Sequence, residues 1–196
     1  MTKREEVRSK LNTKDPQEIA DNSGAIYENG EIRLNLFDQK LRVSLPEYEV
    51  DALTGEVKDH LRELILNYLS RTKEPAGTGD WIAFREIPHG QFYSDNFKKN
   101  TEIKLTRVFQ ARKDDFERVA VKLGGDEIEI GDSGFAFRAL PKFRLGLVFW
   151  SGGDEFQDKI NVLFERTATD CLSTEGLSIL GKEFCNRFIK AAEEEG

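Results

Sequence analysis

The residues able to do chemistry in this chain are few. Catalysis by a serine or cysteine nucleophile needs a base within hydrogen-bond reach, and the 196 residues hold only two histidines, His60 and His89, and two cysteines, Cys171 and Cys185. His60 lies beside an apolar stripe of helical spacing (Val57, Leu61, Leu64) and reads as a boundary packing residue. His89, in the loop Pro88-His89-Gly90, is the better functional candidate, although loop histidines are more often solvated and inert. Cys185 adjoins Phe184 on an apolar helical face, the place of a small core residue. Cys171 has no basic neighbour to lower its pKa. No Gly-x-Ser-x-Gly elbow is present. Two isolated cysteines, without His-x-x-x-His or Cys-x-x-Cys spacing, do not make a zinc or iron–sulfur site. The acids of Gly152-Gly153-Asp154-Glu155, with Asp158, lack the ligand spacing of a calcium loop and read as a surface turn. Gly124-Gly125-Asp126 and Gly152-Gly153-Asp154 each put an acid where a phosphate would need donors.

Two segments stand apart, Gly79–Glu86 and Phe149–Phe156, which contain both tryptophans, each near a glycine turn and charged residues. Aromatic walls with a few charged groups are what a ligand pocket requires. The candidate pocket is Trp81, Phe84, Arg85, Glu86, His89, Trp150, Asp154 and Glu155. In it Arg85 clamps a carboxylate or phosphate, and Asp154 or Glu155 accepts a proton or anchors Arg85. The plainer alternative weighs more: the tryptophans pack the rim of the core and Arg85 makes a structural ion pair.

Three functional readings follow. The leading one is a non-catalytic ligand-binding or accessory module. The second is an acid–base enzyme in which Arg85 holds a small anionic substrate and Glu86, Asp154 or Glu155 is the base, burial having raised its pKa. The third is a structural protein-interaction domain. No residue pattern specifies a cofactor.

The elements that must position these residues point to an α+β fold, with a mixed, largely antiparallel sheet packed against several helices. Glu5–Leu11 is a short charged helix, and Asp15-Pro16 caps a second over Gln17–Ala20. Ile32, Leu34 and Leu36 alternate with polar residues, as do Leu41, Val43 and Leu45 after Asp38-Gln39-Lys40, which predicts a hairpin closed by Pro46. Val57, Leu61, Leu64, Ile65 and Tyr68 make a helical stripe within Glu56–Leu69, with Thr54 as its cap. Arg71–Asp80 is a mobile loop and the one candidate internal boundary. Trp81–Ile87 is extended, Gln91–Lys98 helical, and Glu102–Leu123 helical with a break near Arg112, stopped by Gly124-Gly125. Strands are expected around residues 128–130, 135–139, 143–150 and 161–164. A final helix capped by Ser173 or Thr174 carries Leu177, Leu180, Phe184 and Phe188 on one side. All of this reads as one domain over residues 1–196, with 1–23 and 191–196 loosely ordered.

Composition bounds the rest. Fourteen phenylalanines supply enough apolar area to favour a packed core over a disordered chain. The net charge of −7, with basic residues interleaved among acids, disfavours nucleic acid as a partner. No apolar run approaches a membrane span, and the opening Met-Thr-Lys-Arg-Glu-Glu is no secretory signal, so a cytoplasmic protein is expected. A small anionic ligand or a protein partner remains open.

The segment Gly79–Glu86, the stretch from Phe135 to Ala139-Leu140-Pro141, and Phe149–Phe156 followed by Val162-Leu163-Phe164 together resemble an uncharacterised prokaryotic family, domain of unknown function 3786. With the closing helix around Glu175–Leu180 the resemblance covers about residues 75 to 185. Ser151-Gly152-Gly153 stands where the family pattern is shorter, and Gln157 where proline is common. No reaction comes with the family. Some of its members are joined to a cysteine-rich iron–sulfur segment or occur among anaerobic corrinoid and one-carbon proteins, and the resemblance implies an accessory or redox-linked role, in which any cluster belongs to a partner.

Overall fold

The computed structural model describes residues 3–73, 79–153 and 155–194. Local chemistry accounts for its first elements. Helix α1 (Lys3–Leu11) and helix α2 (Pro16–Ser23) are separated by Asp15, whose carboxylate accepts the Gln17 N–H at 2.9 Å, while Gly24 ends α2 in a left-handed conformation. Both helices are anchored, where the sequence suggests loose order: Val7, Leu11, Ile19 and Ala20 are buried.

Four strands then form an antiparallel meander, β1 (Ile26–Glu28), β2 (Glu31–Leu36), β3 (Gln39–Ser44) and β4 (Glu49–Ala52). Alternation sets the register. Ile32 opposes Val43 and Leu34 opposes Leu41 on the buried face, while Arg33–Arg42 and Asn35–Lys40 face water. Phe37 and Asp38 make the hairpin turn. Helix α3 (Asp59–Arg71) buries the predicted stripe, but it begins after Lys58, so Thr54 does not cap it.

The second half builds a five-stranded antiparallel sheet, separate from the first. Its strands are β5 (Trp81–Ala83), β6 (Asp126–Ile128), β7 (Ser133–Leu140), β8 (Phe143–Trp150) and β9 (Lys159–Glu165), in the order β5-β9-β8-β7-β6. Between β5 and β6 come two 3-10 turns, Phe84–Glu86 and Gly90–Phe92, and helices α4 (Ser94–Asn100), α5 (Glu102–Phe109) and α6 (Lys113–Lys122). A short α7 (Ala168–Cys171) and the long α8 (Thr174–Glu193) close the chain. Ser173 caps α8 by accepting the Gly176 N–H at 3.2 Å. The fold is thus α+β, with antiparallel sheets packed against several helices.

Two local expectations change and a third is met. The extended segment stops at Ala83, because the Glu86 carboxylate accepts the Ala83 N–H at 2.8 Å and turns the chain. The helix expected over Gln91–Lys98 starts at Ser94. The long helical stretch does break near Arg112 as expected, splitting at Gln110–Arg112, where Ala111 has a φ of 56°. The loop residues Glu74–Thr78 lie outside the described residues.

The buried residues of both halves form one hydrophobic cluster. Phe109, Phe116, Phe149 and Phe188 are its centre, and each buried ring contributes about 1.5–3 kcal/mol by leaving water. Polar ties cross between the halves; among them, the Phe37 N–H donates to the Ala139 carbonyl at 2.9 Å, and the Tyr68 hydroxyl donates to Ser23 and accepts from the Lys142 N–H. Strand β5 pairs with Leu163–Glu165, and among the described residues no strand lies beside the remaining length of β9 on that side. Helix α5 fills in: Glu102 accepts the Val162 N–H and Thr106 the Ile160 N–H, each at 3.1 Å. No helix among the described residues is long and apolar enough to cross a membrane.

Candidate functional site

The residues singled out in the sequence are not gathered into one pocket. Trp81 opens β5 opposite Glu165, whereas Trp150 ends β8 opposite Lys159, six residues away along β9, which is about 20 Å of strand. Trp81 lies against Gly146, and the Arg144 guanidinium sits 5.6 Å above its ring. That guanidinium also grips the buried Glu165 carboxylate through Nε at 2.9 Å and Nη2 at 2.8 Å, while the Arg144 backbone N–H donates to its second oxygen at 2.8 Å. The tryptophan, arginine and carboxylate therefore do meet. The partners come from β8 and β9 rather than from Arg85 and Asp154, and the pair is structural.

Arg85 is exposed and makes no ion pair among the described residues. Glu86 is committed to the Ala83 N–H. His89 is exposed in a left-handed conformation at the start of a 3-10 turn, with Gly90 packed tightly against the Phe84 carbonyl. Phe84 is buried in a stack with Phe97, at 4.1 Å between centroids, at the base of a cleft of about 530 Å³ that Tyr93, Ile179 and Lys182 also line. Glu155 is exposed, and Asp154 lies outside the described residues. A separate cleft of about 570 Å³ borders the glycine turn. There Asp158 accepts the N–H groups of Gly152 and Ala111 and so holds the turn itself.

Neither cysteine is poised as a nucleophile. Burial pushes the Cys171 thiol up to about 11 and raises Cys185 further. Among the described residues no three metal-ligating side chains converge.

The aromatic and cationic constellation expected at the tryptophans occurs where the two halves meet. Four elements converge on a cavity of about 360 Å³: the β2–β3 turn, β7, the end of α6, and α8. Phe37, Phe137 and Phe184 form the walls, with Phe184 lying 4.8 Å from Phe37 and 4.5 Å from Phe137 between ring centroids. Lys122, Arg138 and Arg187 supply positive charge and Asp38 one negative charge. The Arg187 guanidinium sits 5.3 Å above the Phe37 ring and donates to Asp38 at 2.9 Å and to Gln39 at 3.3 Å. Phe37 holds a φ of 54°, a conformation a bulky side chain rarely adopts and one that tends to persist at functional sites. Helical spacing brings Phe184 and Arg187 to one face of α8. Nothing in the sequence joins them to a turn nearly 150 positions earlier, so the cavity could not be read in advance.

The architecture defines a two-sheet α+β protein with an aromatic, cation-rimmed cavity at the junction. The chain belongs to the family described as Domain of unknown function (DUF3786), whose model matches residues 15–187 and so spans the whole cavity, a longer stretch than the motifs alone cover. No curated protein and no solved structure matches the chain.

Proposed function

We propose that this protein is a binding module for a small organic anion, seated in the cavity between the β2–β3 turn and α8. The observation that carries this reading is the Arg187 guanidinium lying on Phe37 within a wall of three phenylalanines, with Arg138 and Lys122 at the rim. Such a site offers an apolar body its walls and an anion its counter-charge, and its volume suits a small ligand. The acid–base alternative has less support, since Glu86 caps backbone and Glu155 stands exposed to water rather than buried. An accessory role in an anaerobic or redox-linked system is carried by the family resemblance alone; with both cysteines buried, a cluster in such a system would be held by a partner.

The test is calorimetric titration of the full chain with benzoate, cinnamate and inorganic phosphate, beside Arg187→Leu and Arg138→Ala. Saturable binding of an organic acid to the wild type, lost in Arg187→Leu and weakened in Arg138→Ala, is expected. Binding that survives Arg187→Leu unchanged would place the ligand elsewhere, and no binding by the folded wild type would defeat the reading.

A further inference from the structure

Resting on that reading, we infer that the ligand's anionic group is a carboxylate and that it binds by replacing Asp38 on Arg187. The guanidinium is held by fixed neighbours on three sides. Its Nη2 donates to Gln39, whose own amide is oriented by the Glu56 carbonyl at 3.2 Å. Its Nε lies 3.7 Å from Glu183, a carboxylate that is only 10% exposed and is held by Lys58 at 3.0 Å. The Phe37 ring supports its face.

The fourth neighbour differs in kind. Asp38 reaches Nη1 with one oxygen from the tip of a hairpin, and its side chain is 86% exposed. Ion pairs so open to water are weakly held. The arginine is therefore preset by partners that stay, while its Nη1 is occupied by a carboxylate that can leave. Asp38 displays the chemistry of the group the arginine accepts, and it is tethered where it competes with a ligand for the same N–H. A planar carboxylate matches the guanidinium fork. A doubly charged phosphate would meet two acids, Asp38 and Glu183, at close range. The three phenyl walls favour a flat apolar body behind the carboxylate, as in cinnamate.

Titrating wild type, Asp38→Asn and Arg187→Lys with cinnamate and with inorganic phosphate tests this, with thermal melts to establish that each variant is folded. Asp38→Asn should bind cinnamate about two- to fivefold more tightly, the gain from removing a weak competitor. Arg187→Lys, which keeps the charge and loses the fork, should bind it at least about tenfold less tightly. In amide NMR spectra of the wild type, cinnamate should shift the Asp38 signal. If wild type binds cinnamate while Asp38→Asn binds it no better, displacement is wrong; if Asp38→Asn gains equally for phosphate, the carboxylate assignment is wrong; in either case the binding-module reading stands. If neither wild type nor Asp38→Asn binds any of these anions, the underlying reading fails with it.

Discussion

Replacing Arg144 with alanine should cost this protein about 3 kcal/mol, most of it through the carboxylate left behind. Glu165 is 2% exposed and accepts three N–H groups, two of them from the guanidinium. Arg144→Ala leaves only the backbone donor to a buried negative charge. Breaking a buried pair from one side costs about 3–5 kcal/mol. The Arg144 side chain is itself 27% exposed, so water reaches the vacated position and the lower end applies. Loss of the stack on Trp81 adds up to about 1 kcal/mol. Glu165→Gln in the Arg144→Ala background removes the stranded charge, so the double variant should be less destabilised than the sum of the single variants by about 1–3 kcal/mol. Urea unfolding followed by circular dichroism and by tryptophan fluorescence measures both quantities, provided the denaturant slope is unchanged. A loss below about 1 kcal/mol for Arg144→Ala, or strict additivity in the double variant, would mean that the pair is solvated and that the reasoning fails.

Three further outcomes are expected. Gly181→Ala should lower the melting temperature: the new methyl would lie 2.8 and 2.9 Å from carbons of the Phe97 ring, and the overpacking outweighs the roughly 1 kcal/mol alanine gains in a helix. Ser173→Ala should cost about 1 kcal/mol by uncapping α8, read from the urea midpoint. Burial raises the Tyr68 hydroxyl far above its ordinary value and Cys171 to about 11, so above pH ~8.5 the unfolded chain releases protons that the folded chain retains. Stability contributed by these groups is full below that pH and falls as pH rises toward 11. Tyr68→Phe should flatten this decline, while itself costing about 1–3 kcal/mol by unpairing Ser23 and Lys142.

How much was legible depends on whether the determining forces were local. Alternation at Ile32–Leu36 and Leu41–Val43 reports burial on one face, and it placed the first hairpin correctly. The cap at Asp15, the stripe on α3 and the Ser173 cap are likewise set by neighbours in sequence. Strand β4 escaped because four residues with a single fully buried position, Val50, carry too little periodicity to register. The division into two sheets is a matter of pairing partners, which alternation does not encode. The tryptophan segments misled for a related reason. Trp81 and Trp150 share aromatic and charged neighbours along the chain, yet their companions in space are chosen by strand register. Arg144, an outward residue in an otherwise apolar run, gave no sign that Trp81 and Glu165 would enclose it.

The cover that α5 provides along β9 has a consequence for how the protein behaves in company. A sheet that ends in free N–H groups is a template on which another chain can add a strand. Here two side chains, Glu102 and Thr106, take the N–H groups that an incoming strand would use, so the sheet is finished by a helix. Because those acceptors reside on a separate element, the seal lasts only while α5 stays docked. Partial unfolding confined to the α4–α5 region would uncover an edge along Ile160 and Val162, flanked by core residues. Self-association of this protein under mild stress should begin there, before either sheet has come apart.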